Sequence, residues 1–348
     1  MVNDSASTAC DKTCKSERRA IERLVGASLI ASVLIAVSCS TPTEPTPPVN
    51  PDPPALSITC PPSVTASTAN GAPVPVTFAN PTTTGGRAPI STSCSRTSGS
   101  LFPVGATTVQ CSATDTAATV SSCSFTVTVV QAPQLSRTKF LAFGDSFTEG
   151  EVTVPSASPM HAPYAIILRI VPEAAYPTRL STLLIGRYAT QANTISVANA
   201  GRSGEWAEEG ARRLPGVMAN GRPDALLLLE GVNELAALGP PGISRAAAAL
   251  DTMAKEGRNR GARVFMATLP PSRPTGPRAV AIATVVALND RIRATAAGEG
   301  AVLVDLYSAL SSDVPRYIGI DGLHPTEAGY LRMAEVFFEA IRATLEVR

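Results

Sequence analysis

Histidine is scarce in this sequence: among 348 residues only His161 and His324 carry an imidazole. A histidine-rich metal site is therefore not expected, and no residue pattern calls for a metal or cofactor. Neither sign of charge is in excess. The 29 Lys and Arg against 28 Asp and Glu leave a formal net charge of +1. No surplus of cations faces phosphates, so a nucleic-acid partner is not expected. Runs of about 20 apolar residues are absent too, which excludes a polytopic membrane protein. Cysteine is missing from the whole chain beyond Cys123. The length suggests two domains at about 100–200 residues each.

The seven cysteines that do occur fall in three groups: Cys10 and Cys14, then Cys39, then Cys60, Cys94, Cys111 and Cys123. Four cysteines in one short β-like segment suit an oxidising compartment, where disulfides staple a weak core. Three connectivities are open; Cys60–Cys123 with Cys94–Cys111 is the expectation, the first bridge tying the ends of the segment together. Upstream, Lys15, Arg18, Arg19 and Arg23 precede an apolar run from Leu24 to Val37, too short to span a bilayer comfortably. The run ends in Ile35-Ala36-Val37-Ser38-Cys39, which resembles a bacterial lipobox, with Ala36 where Leu is usual. That resemblance implies a lipoprotein-type signal peptide over residues 1–38, lipidation of Cys39, and a membrane partner through the lipid anchor. The expected location is outside the cytoplasm, as an outer-membrane or cell-surface lipoprotein of a bacterium; plain secretion or an uncleaved anchor are the alternatives. Seven of the fourteen residues from Thr41 to Pro54 are proline, so residues 39–54 read as an extended tether.

Residues 55–131 are rich in Thr, Ser and Val, and Arg87, Arg96 and Asp115 are their only ionised side chains. Alternating runs such as Ser124-Phe125-Thr126-Val127-Thr128-Val129 have the period of half-buried strands, punctuated at Asn70-Gly71 and Gly85-Gly86. The reading is a small β-sandwich. Cys60-Pro61, the run from Ser98 to Val109, Cys111-Ser112-Ala113-Thr114-Asp115 and the run from Cys123 to Val129 closely resemble a HYR (hyalin-repeat) domain. That resemblance implies an immunoglobulin-like fold and a spacing or adhesive role, with a possible surface ligand and no chemistry.

From residue 132 to 348 short apolar runs alternate with helical stretches such as Ala246–Gly257. The runs are Phe140–Phe143, Thr194–Val197, Ala225–Leu229, Arg263–Ala267 and Ala301–Val304. This is the pattern of an α/β domain with a parallel sheet covered on both faces. Ligands of such sheets sit beyond the carboxyl ends of the strands. There the sequence places Gly144-Asp145-Ser146-Phe147, Ala198-Asn199-Ala200-Gly201, Glu230-Gly231-Val232-Asn233 and, after the last run, Asp321-Gly322-Leu323-His324-Pro325. Gly-x-Ser-x-Gly is absent, which argues against the nucleophile elbow of the α/β-hydrolases.

These four blocks in order resemble the SGNH (GDSL-type) hydrolases over about residues 138–346. The resemblance implies a flavodoxin-like three-layer fold and a serine hydrolase. Ser146 would be the nucleophile, His324 the base and Asp321 its partner, with the Ser146 and Gly201 N–H groups and the Asn233 amide as oxyanion hole. One departure is Glu234, where the family's third block usually has Asp. The chemistry suits the residues: serine needs a neighbouring base, imidazole can take and return the proton, and a carboxylate fixes its tautomer. Pro325 is placed to open a final helix with Leu331, Ala334, Phe338, Ile341 and Leu345 on one face. His161 reads as an exposed loop residue. Residues 151–177 read either as a lid or substrate wall, or as a short extra helix. The expected activity is carboxylic ester hydrolysis on a small ester or an acylated carbohydrate or lipid. A polysaccharide O-acetyl esterase, a lysophospholipase or thioesterase, and a non-catalytic adhesion protein are the alternatives.

Overall fold

The computed structural model describes residues 52–155 and 166–347. The expected signal peptide, Cys39, nearly all of the tether and His161 lie outside the described residues. The first module is all-β. Its strands are β1 (Ser57–Thr59), β2 (Val64–Thr68), β3 (Val74–Pro75), β4 (Thr82–Thr84), β5 (Ser91–Cys94), β6 (Leu101–Phe102), β7 (Gly105–Thr114) and β8 (Val120–Gln131). Strands β2, β8, β7 and β5 form one sheet in that order, while β1 pairs with β4 and β3 with β6. Phe125, Val127 and Val129 of β8 turn inward and their neighbours outward, the period of two that a half-buried strand requires. They join Phe102, Val109 and Val76 in a core of ten buried side chains. So small a core gains from covalent staples. Disulfides Cys60–Cys123 and Cys94–Cys111 supply them, the second crossing from β5 to β7.

After the short β9 (Gln134–Leu135), the second module opens with β10 (Lys139–Gly144), a one-turn helix α1 (Ser146–Glu149) and a hairpin of β11 (Glu151–Pro155) and β12 (Ile166–Ile170). Helix α2 (Tyr176–Arg187), β13 (Ser196–Gly201), α3 (Ala207–Gly221), β14 (Ala225–Leu229), α4 (Val232–Leu238) and α5 (Gly242–Asn259) follow. Then come β15 (Arg263–Ala267), α6 (Ile282–Gly298), β16 (Val302–Val304), α7 (Leu306–Ser311), α8 (Val314–Tyr317), α9 (Glu327–Leu345) and β17 (Glu346–Val347), which pairs with β9. Five strands lie parallel in the order β13-β10-β14-β15-β16. Numbered within the sheet this is 2-1-3-4-5, the flavodoxin-like order, whose switch point lies beside the first strand. Ser146 follows that strand. The all-apolar β14 is buried along its whole length, as a central strand covered on both faces must be. Helices α2 and α9 pack together, with Tyr176 stacked on Phe337 at 4.8 Å, and α3, α5 and α6 pack in series. No helix among the described residues is long and apolar enough to cross a membrane.

Three local expectations change. The second strand is Ser196–Gly201, not Thr194–Val197: Ala198 to Gly201 continue the ladder opposite Leu141 to Gly144. As an edge strand it is half solvated, so its apolar run marks it poorly. The stretch after residue 150 is a hairpin where described, not an extra helix. Finally, Pro325 does not open α9. It forms a bridge with Ile318, and Thr326 caps the helix by accepting the Gly329 N–H at 3.1 Å. The buried face carries Tyr330, Met333, Ala334, Phe337, Ile341 and Leu345, while Leu331 is 43% exposed. Tyr330 turns inward because its hydroxyl has partners there.

Candidate active site

Ser146 is the first residue of α1, directly after β10. Asp145 caps that turn by accepting the Phe147 N–H at 3.0 Å, and Gly150 ends it in the left-handed region at φ 102°. The turn can sit on the sheet only because two facing glycines lack side chains. A Cβ on Gly144 would stand 2.0 Å from the Leu229 carbonyl oxygen, and one on Gly201 would stand 2.1 Å from the Glu149 nitrogen. Gly144 and Gly201 are opposite each other in register.

The expected base, His324, comes from the other end of the chain. His324 Nε2 lies 3.0 Å from Ser146 Oγ, and Nδ1 lies 2.6 Å from Asp321 Oδ2. All three side chains are buried. The other Asp321 oxygen accepts the Leu323 and His324 N–H groups, each at 3.1 Å, so the Asp-x-x-His spacing closes a turn on itself. Burial works to raise the Asp321 carboxyl, but the His324 hydrogen bond and these N–H groups outweigh it and hold its pKa below the ordinary value. The turn is braced from outside. Ser272 Oγ donates to the Gly322 carbonyl at 2.9 Å, and the Arg278 N–H donates to the Asp321 carbonyl at 2.8 Å. Tyr330 donates to the Glu151 carbonyl at 2.7 Å and lies 3.3 Å from the Ser146 carbonyl oxygen. None of these braces carries a motif in the sequence.

The remaining two blocks also reach this edge. Asn233 lies in the first turn of α4, and its amide donates one hydrogen to the Glu205 carbonyl at 2.8 Å, leaving the other for a ligand. The Gly201 N–H is occupied by the Asn199 side chain at 2.9 Å. Its expected donation to an oxyanion requires Asn199 to yield that bond.

Behind the site lie four carboxyl groups whose burial the sequence does not announce: Asp145, Glu205, Glu230 and Glu234. Arg213 clamps Glu205, donating from Nε at 2.7 Å and also from Nη2, which in turn reaches the Ala200 carbonyl at 3.0 Å. Its guanidinium stacks over Phe143 at 4.1 Å. Burial, then the neighbouring carboxyl groups of Asp145, Glu205 and Glu234, push the Glu230 carboxyl well above the ordinary value. Burial also raises Glu234, which faces the Ala207 and Glu208 N–H groups at the start of α3. This is the place of the residue that departs from the third block. Among the described residues no group of three or more His, Cys, Asp or Glu is arranged to hold a metal ion.

Asp145 is pushed up to about 7, by burial first and then by Glu234 and Glu205. The unfolded chain releases this proton near the ordinary 3.8, and the folded chain holds it to about 7. Between those values the folded state binds more protons, so this group's stabilisation is full below the lower value and is lost as pH rises through the upper one. Asp145→Asn has no such proton to lose and keeps an acceptor for Phe147. Thermal unfolding from pH 4 to 8 is expected to show the variant gaining on the parent by up to about 1.4 kcal/mol per pH unit. Parallel curves would contradict the assignment.

A family model described as the GDSL-like lipase/acylhydrolase family matches residues 142–332, and a HYR domain model matches residues 49–129. No curated protein matches the chain. Among solved structures, it is similar to a lipase/acylhydrolase from Enterococcus faecalis, 22% identical over 60% of this chain and 97% of that one, with a TM-score of 0.46. An acetylxylan esterase from Geobacillus stearothermophilus is 18% identical over 60% and 94%, with a TM-score of 0.46. The psychrotrophic esterase EstA from Pseudoalteromonas sp. is 17% identical over 59% and 96%, with a TM-score of 0.44.

Proposed function

The chain belongs to the GDSL-like lipase/acylhydrolase family of ester hydrolases, and from that premise we propose that it cleaves carboxylic esters through an acyl intermediate on Ser146. The observation that carries this reading is the unbroken contact from Ser146 Oγ through both nitrogens of His324 to Asp321, at 3.0 and 2.6 Å. His324 Nε2 takes the Ser146 proton as Oγ attacks the ester carbonyl carbon. The tetrahedral oxyanion is met by the Ser146 N–H and the free amide hydrogen of Asn233, with Gly201 joining when Asn199 yields. Losing one such donor typically costs about 10²–10³ in rate. Collapse breaks the bond to the leaving oxygen, which receives the proton from Nε2. Water then repeats the sequence, giving acid, alcohol and free enzyme.

The same reading places the enzyme outside the cytoplasm, anchored through Cys39, with the HYR-like module as a spacer. The two disulfides in that module support an oxidising compartment. The test of the catalytic reading is hydrolysis of p-nitrophenyl acetate, butyrate and octanoate by the whole chain and by Ser146→Ala. Turnover is expected in the parent and only the buffer rate in the variant. Equal rates in the two proteins would remove Ser146 from the mechanism.

A further inference from the structure

Besides Asp321, a second carboxylate approaches the histidine. Glu151 Oε2 lies 3.4 Å from His324 Nε2, the nitrogen that also faces Ser146 Oγ. Glu151 is the first residue of β11, and its position is fixed from three sides. Gly150 turns the chain out of α1, Ile170 pairs with Glu151 across the hairpin, and Tyr330 holds its carbonyl at 2.7 Å. Its side chain is 15% exposed, and among the described residues no lysine or arginine forms an ion pair with it.

In ester hydrolysis Nε2 must meet two oxygens in turn, that of the serine and that of the leaving alcohol. A group within 3.4 Å of Nε2 that is not the serine borders the place where the leaving oxygen arrives. We infer that Glu151 selects the leaving alcohol, favouring one with a hydroxyl on the carbon next to the ester-bearing carbon, as in a polyol or sugar, and opposing one with a negative charge there. A neighbouring hydroxyl can donate to Oε2, whereas a leaving group without a donor leaves a half-buried carboxylate unpaired in the bound complex. A carboxylate or phosphate at the same place meets like charge in a partly desolvated site. The inference rests on Ser146 and His324 being nucleophile and base, and it narrows the substrate class of that same site.

The test uses three acetates followed by acid release at constant pH: propyl acetate, glycerol 1-acetate and O-acetylglycolate. They are compared in the parent chain, Glu151→Gln and Glu151→Ala. Comparing ratios between proteins cancels the intrinsic reactivity of each ester. In the parent, glycerol 1-acetate is expected to exceed propyl acetate in kcat/KM by about tenfold or more, the usual effect of a hydrogen bond to a charged group. Glu151→Ala is expected to bring that ratio near one. Glu151→Gln keeps an acceptor but no charge, so it is expected to raise O-acetylglycolate relative to propyl acetate by about tenfold while retaining part of the glycerol preference. The same three ratios in all three proteins would overturn the inference and leave the serine-esterase reading standing, provided propyl acetate turnover depends on Ser146. Loss of all three substrates in both variants would also overturn it, making Glu151 a support of the histidine instead. A parent that hydrolyses none of them would overturn the inference, and the p-nitrophenyl esters of longer acids then decide whether the serine-esterase reading stands.

Discussion

Asp321→Asn is expected to lower kcat/KM for p-nitrophenyl butyrate by about 10⁴ with the fold intact. The carbonyl oxygen of the new amide can still accept the Leu323 and His324 N–H groups that now end on Asp321 Oδ1, so the turn survives. The amide nitrogen, however, takes the place of Oδ2, 2.6 Å from His324 Nδ1. It donates where a carboxylate accepts, and so moves the ring proton to Nε2. That nitrogen then presents a hydrogen to Ser146 Oγ instead of a lone pair, and the nucleophile is no longer activated. Steady-state kinetics with circular dichroism on the same sample checks this. A loss smaller than about tenfold in a folded variant would mean that the carboxylate only shapes the turn, since tautomer reversal in such a triad is worth far more.

Arg213→Met is expected to destabilise the chain by about 3–5 kcal/mol. Its partner Glu205 has a side chain only 1% exposed and sits among Asp145, Glu230 and Glu234. Removing the guanidinium leaves that buried charge with only the exposed Arg202, 3.5 Å away, which costs more than the pair itself contributes. Activity should fall with stability. Arg213 holds the Ala200 carbonyl beside Gly201, and the Glu205 carbonyl orients Asn233. Glu205→Gln combined with Arg213→Met leaves no unpaired charge, and most of the lost stability should return. Denaturant midpoints of the single and double variants decide the matter. A single variant within 1 kcal/mol of the parent, well inside the cost expected when a buried charge loses its main partner, would contradict the clamp.

What the sequence revealed and what it hid follow from the same physics. Ala225–Leu229 and, after Arg263, Val264–Ala267 are legible as strands because interior parallel strands are continuously apolar. Ser196–Gly201 is an edge strand, starting two residues and ending four residues beyond the apolar run Thr194–Val197. The Asp-x-x-His turn is local, so its residue types announce it, and the serine is marked by the strand before it. Their approach across 178 residues is set by the sheet order and has no local signature. Tyr330 and Leu331 are both plausible core residues, and only the carbonyls of Ser146 and Glu151 decide which one turns inward. The burial of Glu205, Arg213 and Glu230 has no sequence signal because charged residues are ordinarily read as solvated. Glu151 stayed hidden because nothing in the sequence brings a hairpin against the histidine.

The most direct measurement of the central claim is the mass of the whole chain after reaction with an organophosphate such as diethyl p-nitrophenyl phosphate, followed by peptide mapping. The expected result is a single phosphoryl adduct on Ser146, absent in Ser146→Ala and formed much more slowly in His324→Ala. An adduct on another residue, or an unmodified Ser146 in a preparation that hydrolyses esters, would contradict the assignment of this serine as the nucleophile.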